Sequence, residues 1–104
     1  MTTTITRIYA FSAAHTLPSH PGKCKQMHGH NYRLEVTVVK NPWFHELDEW
    51  VQPILDRYDH SYLNDLLIAE PTVEHLAEAI FGSGDGVFLR VRLWENDCSF
   101  AEVQ

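Results

Sequence analysis

A chain of 104 residues makes one small domain, near the lower limit of the size that buries an adequate core, and such units often complete their core by oligomerising. Apolar content of 44% and aromatic content of 12% specify a folded globular protein, while a formal charge of −6 excludes a general binder of nucleic acid or of anionic membranes, both of which need a basic surface. No apolar run approaches the ~20 residues that cross a bilayer and no charged-then-apolar leader follows Met1, so the expected compartment is the cytoplasm.

Residues 3–12, dominated by β-branched and aromatic side chains, predict a first strand. Residues 17–25 hold two prolines and a glycine and predict a loop, which carries Cys24. A second strand is expected over residues 29–40, where Tyr32, Leu34, Val36 and Val38 alternate with other positions. Asn41-Pro42 breaks it. Phe44, Leu47, Trp50, Val51, Ile54, Leu55 and Tyr58 then recur at three and four residues, the period of an amphipathic helix, with Pro53 expected to kink or restart it. Thr72 is placed to cap a second helix, with Glu74 in its positive first turn and Val73, Leu76, Ala77, Ile80 and Phe81 facing inward. The glycine-rich stretch 82–86 ends that helix. Val87, Leu89, Val91 and Leu93 alternate with Arg90, Arg92 and Trp94 as a third strand, and residues 99–103 make a last one. Strands at both ends with helices between them describe an α+β fold, an antiparallel four-stranded sheet with both helices on one face.

The residues with the most chemical content are His15, Cys24, His28 and His30. Side chains two apart on a strand share a face, so His28 and His30 can hold one metal ion between them. His15 follows the first strand-like run and can reach across an antiparallel pair as a third imidazole. Three neutral nitrogens with an open fourth position describe catalytic zinc, whereas structural zinc is usually closed by four protein ligands. A lone histidine on a strand is ordinarily a surface or hydrogen-bonded residue; three arranged in this way point to metal. His20, His45 and His75 lack partner spacing and are expected to face solvent.

Cys24 reads either as a fourth ligand or as a nearby base. It lies in the proline-glycine loop between Lys23 and Lys25, a positive setting in which cysteines act chemically. Cys98 is its only possible disulfide partner, and nothing else about the chain looks secreted. Asp59-His60, after the first helix, reads either as a helix terminus with a histidine at the negative dipole end or as an acid–base pair in which the carboxylate orients the imidazole. Glu95 ends the alternating run, either emerging into solvent or waiting in a pocket for a ligand with N–H donors.

With these residues in view, the chain resembles the 6-pyruvoyltetrahydropterin synthase and 6-carboxytetrahydropterin synthase family. The resemblance rests on Phe11-Ser12-Ala13-Ala14-His15, Cys24-Lys25-Gln26-Met27-His28-Gly29-His30-Asn31-Tyr32, Asp59-His60-Ser61-Tyr62-Leu63-Asn64-Asp65, Pro71-Thr72-Val73-Glu74 and the late Glu95, in the family's order and across most of the chain. It implies a T-fold of two strands, two helices and two strands, with subunits joined into barrels, commonly a homohexamer. It implies zinc on His15, His28 and His30, Cys24 as the base, Asp59 with His60 as the partner acid–base pair, Glu95 as the anchor of the pterin ring, and Thr72 and Glu74 lining that pocket. The implied substrate is 7,8-dihydroneopterin triphosphate.

Three residues separate Cys24 from His28, as in the carboxytetrahydropterin synthases of the queuosine pathway, which release acetaldehyde and triphosphate; the animal-type pyruvoyl synthases tend to carry a longer insertion there. The pyruvoyl activity, a non-catalytic zinc- or pterin-binding domain, and a structural zinc closed by Cys24 remain as alternatives. The chain departs from the family at residues 40–44, where an abrupt junction with Trp43 in place of an expected aspartate implies either a truncated hairpin or an omitted loop.

Overall fold

The computed structural model describes residues 1–104. Strand β1 (Thr4–His15) pairs antiparallel with β2 (His28–Val39) along its whole length, from Thr4 opposite Val39 to His15 opposite His28. Helix α1 (Phe44–Tyr58) follows, then a two-residue strand β3 (Ser61–Tyr62), helix α2 (Val73–Ser83), and the hairpin of β4 (Arg90–Asn96) with β5 (Ser99–Val103). The strands lie in the order β3-β1-β2-β4-β5.

Both helices cover one face of this sheet, α1 against β1 and α2 against β4 and β5. Period-two alternation sends Phe11, Tyr32, Leu34, Val36, Val38, Val91 and Leu93 toward the helices, where they meet Leu47, Val51, Ile54, Leu76 and Ile80 in one buried cluster. The other face carries no helix. Arg33 lies 4.3 Å over the Trp94 ring there, and Arg92 pairs with Glu102 at 2.8 Å. No helix is long and apolar enough to cross a membrane.

Four expectations need correction. The sheet has five strands and is mixed, because Ser61–Tyr62 pairs parallel with Ala13–Ala14; a two-residue strand is too short to leave a periodic signal. Strand β1 continues past Ser12 to His15, carried by its pairing with residues 28–31. Strand β4 starts at Arg90 rather than Val87: Val87 and Leu89 are exposed and Phe88 is buried in their place, so the chain changes phase before the ladder begins. Pro53 does not restart the helix, which is one element over Phe44–Tyr58. Proline's missing N–H falls on an exposed side, where water can serve the carbonyl of Glu49 one turn back.

The junction at residues 40–43 is a closed turn. Lys40 donates its N–H to the Thr3 carbonyl at 3.0 Å, Asn41 takes φ = 123°, and the Glu46 carboxylate accepts the Trp43 N–H at 3.1 Å to start α1. Four residues therefore suffice to link strand to helix. At the far end of α2, Gly84 has ordinary helical φ, and a Cβ added there would penetrate the ring of buried Phe88. The Gly84→Ala variant should accordingly lose about 1–3 kcal/mol through overpacking, seen in urea titration as a lower midpoint with unchanged slope. An unchanged midpoint would show that Phe88 can move away freely.

Candidate metal centre and active site

The β1–β2 register builds the metal centre. Directly opposed residues share a face, so His15 opposite His28, and His30 opposite Ala13, put three imidazoles on the helix side at one end of the ladder. His15 is fully buried and His28 and His30 are half-buried. One nitrogen from each ring falls in a group whose members all lie within 4.8 Å of one another. Neither Cys24 nor Glu95 belongs to that group, which could hold a metal ion through three imidazole nitrogens.

The hydrogen bonds show what the cluster needs. Nδ1 of His15 lies 2.8 Å from the Pro71 carbonyl and Nδ1 of His28 lies 2.8 Å from the Gln26 carbonyl. A carbonyl oxygen only accepts, so in both neutral rings Nδ1 carries the proton and Nε2 carries the lone pair. These two Nε2 atoms face each other at 2.9 Å. Two lone pairs at that separation repel unless a cation lies between them. Two nitrogens on one tetrahedral metal stand about 3.3 Å apart, close to what is found. In the third ring, Nε2 of His30 is buried without a hydrogen-bond partner. Burial holds the His30 imidazole below its usual pKa, against an opposing pull from Glu95, with His15 and His28 adding to the lowering. The neutral form that binds metal is thereby favoured.

Beyond the cluster, Glu95 on β4 places Oε1 3.8 Å from His30 Nε2. Tyr32 lies under the site, stacked on Phe11 at 5.1 Å; its hydroxyl is buried without a partner, and burial together with Glu95 pushes the phenol above its usual pKa. Cys24 is half-buried and free, in a one-turn 3-10 helix over Lys23–Lys25. Thr72 caps α2 as expected, its hydroxyl accepting the His75 N–H at 3.2 Å. Glu74 is exposed, on the groove that Glu78 and Glu102 also line, and makes no contact with the imidazoles. His20, His45 and His75 are exposed.

Asp59 and His60 lie across the outer edge of β1. The Asp59 carboxylate accepts the Ser12 N–H at 2.9 Å and stands 3.0 Å from His60 Nδ1. The Ser12 N–H, and then His60, hold that carboxyl below its usual pKa. His60 has φ = 57°, a left-handed conformation unusual for a side chain with a Cβ, and its ring is exposed beside an open recess of about 400 Å³ that Ser12, His30 and Asn31 also line. Cys24 makes no hydrogen bond with either residue of this pair. Three further residues escaped sequence reasoning. Pro71 orients His15 through a backbone carbonyl, which no side-chain pattern reveals; Asn64 grips Thr16; and Tyr32 reads as core.

The helix-backed sheet and its imidazole cluster define the class, a T-fold domain with a histidine cluster that could bind a metal at the end of its central hairpin. A family model described as 6-pyruvoyl tetrahydropterin synthase matches residues 4–104, and the chain belongs to that family. An Archaeoglobus fulgidus protein provisionally named 6-carboxy-5,6,7,8-tetrahydropterin synthase is 36% identical over 105 residues, covering 91% of this chain and 90% of that one. The 6-carboxy-5,6,7,8-tetrahydropterin synthase of Synechocystis is 37% identical over 87 residues, 70% of this chain and 67% of its own. Among solved structures, Caenorhabditis elegans 6-pyruvoyl tetrahydropterin synthase superimposes with a TM-score of 0.90 at 22% identity, over 100% of this chain and 96% of that one, a likeness of fold.

Two measurements test this geometry. Zinc at ~100 times its Kd should stabilise the protein by about 2.7 kcal/mol, and His28→Ala should abolish the gain; a variant that keeps it would remove His28 from the metal set. The gain should also shrink as the pH falls and protons compete for the His30 imidazole, whose pKa burial lowers. Separately, His60→Gly relieves the left-handed strain and should leave stability unchanged or raise it by up to about 1 kcal/mol in thermal melts. A clear loss of stability would make the imidazole a structural element instead.

Proposed function

We propose that the protein is a zinc-dependent 6-carboxy-5,6,7,8-tetrahydropterin synthase, a lyase that converts 7,8-dihydroneopterin triphosphate to carboxytetrahydropterin, acetaldehyde and triphosphate in queuosine and 7-deazapurine synthesis. The observation that carries the metal-dependent reading is the convergence of one nitrogen each from His15, His28 and His30 within 4.8 Å of one another. The choice of product is supported by the names of the Archaeoglobus fulgidus and Synechocystis relatives and by the three-residue spacing between Cys24 and His28.

His15, His28 and His30 would hold zinc, with the second nitrogens of His15 and His28 kept in place by backbone carbonyls. Bound zinc supplies a Lewis acid for the side-chain oxygens of the substrate. Glu95, on the same sheet face, accepts two parallel hydrogen bonds from the aminopyrimidinone edge of the pterin and fixes the ring; the part that the resemblance gives Thr72 and Glu74 rests on the resemblance alone, since Glu74 lies on a separate groove. Cys24 takes a proton from the substrate side chain, and His60, oriented through Nδ1 by Asp59, returns one.

In this reading the enzyme is a cytoplasmic homohexamer. Support for assembly comes from two open sheet edges: β3 covers β1 only at Ala13–Ala14, and the outer edge of β5 is unpaired. A second reading, 6-pyruvoyltetrahydropterin synthase, is favoured by the family description and by the C. elegans fold likeness; a non-catalytic zinc- and pterin-binding domain is a third. Mass spectrometry of products from zinc-loaded protein and 7,8-dihydroneopterin triphosphate separates them. Carboxytetrahydropterin and acetaldehyde are expected from the parent and not from Cys24→Ala. A pyruvoyl product would transfer the protein to the sister activity, and no product from folded, zinc-loaded protein would end the enzyme reading.

A further inference from the structure

The geometry points to Asn64 as a positioning residue that sets the metal ligand His15 and the thiol of Cys24 in one frame; the chemical importance of Cys24 rests on the function proposed above. Strand β1 stops at His15 because β2 begins at its partner His28, so the next residue, Thr16, has no ladder partner. Asn64 takes that place. Its Oδ1 accepts the Thr16 N–H at 2.9 Å, and its Nδ2 donates to the Thr16 carbonyl at 3.0 Å and to Oγ1 at 2.9 Å. One primary amide thus does for Thr16 what a neighbouring strand does for the residues before it. Among side chains of this length only asparagine carries both the acceptor and the donors.

Thr16 stands between the two functional groups. On one side is His15, whose ring is held by the Pro71 carbonyl at 2.8 Å. On the other, Leu17 donates its N–H to the Cys24 carbonyl at 3.1 Å and closes the loop that carries the thiol. The segment holding Asn64 is itself stitched to β1: Asp59 and His60 bond the backbone of Ser12, and Ser61–Tyr62 pair with Ala13–Ala14. Asn64 is the last stitch, the one that reaches past the strand into the loop. Without it, Thr16 would have two unpaired backbone groups and the loop would lose its fixed origin beside the metal.

The test compares Asn64→Ala and Asn64→Asp with the parent in two assays that need no turnover: zinc affinity by competition with a chromophoric chelator, and the rate of iodoacetamide modification of Cys24 relative to exposed Cys98 in the same molecule. Zinc binding should weaken, by less than the ~10–100-fold that follows loss of a direct hydrogen-bond partner of a metal ligand, because Asn64 acts on His15 through Thr16. The Cys24-to-Cys98 modification ratio should rise as the half-buried thiol is released. Asn64→Asp keeps the shape but turns a carboxylate oxygen toward the Thr16 carbonyl, so it decides the matter if Asn64→Ala does not fold. Tyr62→Phe, which removes only a hydroxyl contact with Thr16, should change neither assay. Parental zinc affinity and modification ratio in folded Asn64→Asp, even with a lower Tm, would reduce Asn64 to a stabilising contact and overturn the assignment. Failure of the parent to turn over the pterin triphosphate would count against the proposed function and leave both readouts standing.

Discussion

The antiparallel pairing of β1 with β2 is the constraint on which the rest depends. One unbroken register sets the buried face of the sheet and, at its end, the metal face. Shifting it by one residue would turn His28 and His30 to the helix-free side, and would also turn Tyr32, Leu34, Val36 and Val38 out of the core. Each of those side chains is worth about 1.5–3 kcal/mol when buried, so hydrophobic burial along the hairpin holds the imidazoles in place. Packing and chemistry are here two consequences of one ladder.

That arrangement lets the core offset features that are unfavourable in themselves. The facing lone pairs of His15 and His28, the unpartnered His30 nitrogen and Tyr32 hydroxyl, and the left-handed backbone of His60 all lie at the same end of the sheet. An unsatisfied buried polar group costs about 1–3 kcal/mol, and a strained backbone residue a similar amount. Such costs concentrate where a ligand relieves them or where chemistry needs a side chain aimed against its local preference. Toward the opposite end the one such atom is Arg90 Nε, and the same guanidinium still donates through Nη2 to the Thr37 hydroxyl.

The β2–α1 junction spans only residues 40–43. The link at residues 40–43 is held by hydrogen bonds to Thr3 and to Glu46, and it leaves Val39, Trp43 and Phe44 exposed nearby, with Arg7 lying 5.2 Å over the Phe44 ring. The ion pair of Arg7 with Asp48 and the hydrogen bond from Tyr9 to Asp48 then dock the first turns of α1 onto β1. A short link and a side-chain tether do the work of a longer connection.

Much of this was legible in the residues. The alternation around Tyr32 to Val38 and the three- and four-residue period of α1 and α2 are local signals, and each produced the expected element. His28 and His30 had to share a face because two residues on a strand always do. The family resemblance placed Cys24, the Asp59-His60 pair and Glu95 in order along the chain. What the residues did not contain was anything decided by distant backbone: the two-residue strand β3, the continuation of β1 to His15, the later start of β4, the Pro71 carbonyl behind His15 and the amide of Asn64 beside Thr16. Periodicity and side-chain chemistry are written locally and survive in the sequence. Carbonyl positions, ladder ends and the meeting of residues 12–16 with 59–64 exist only after the chain has closed on itself, so tertiary structure alone decided them.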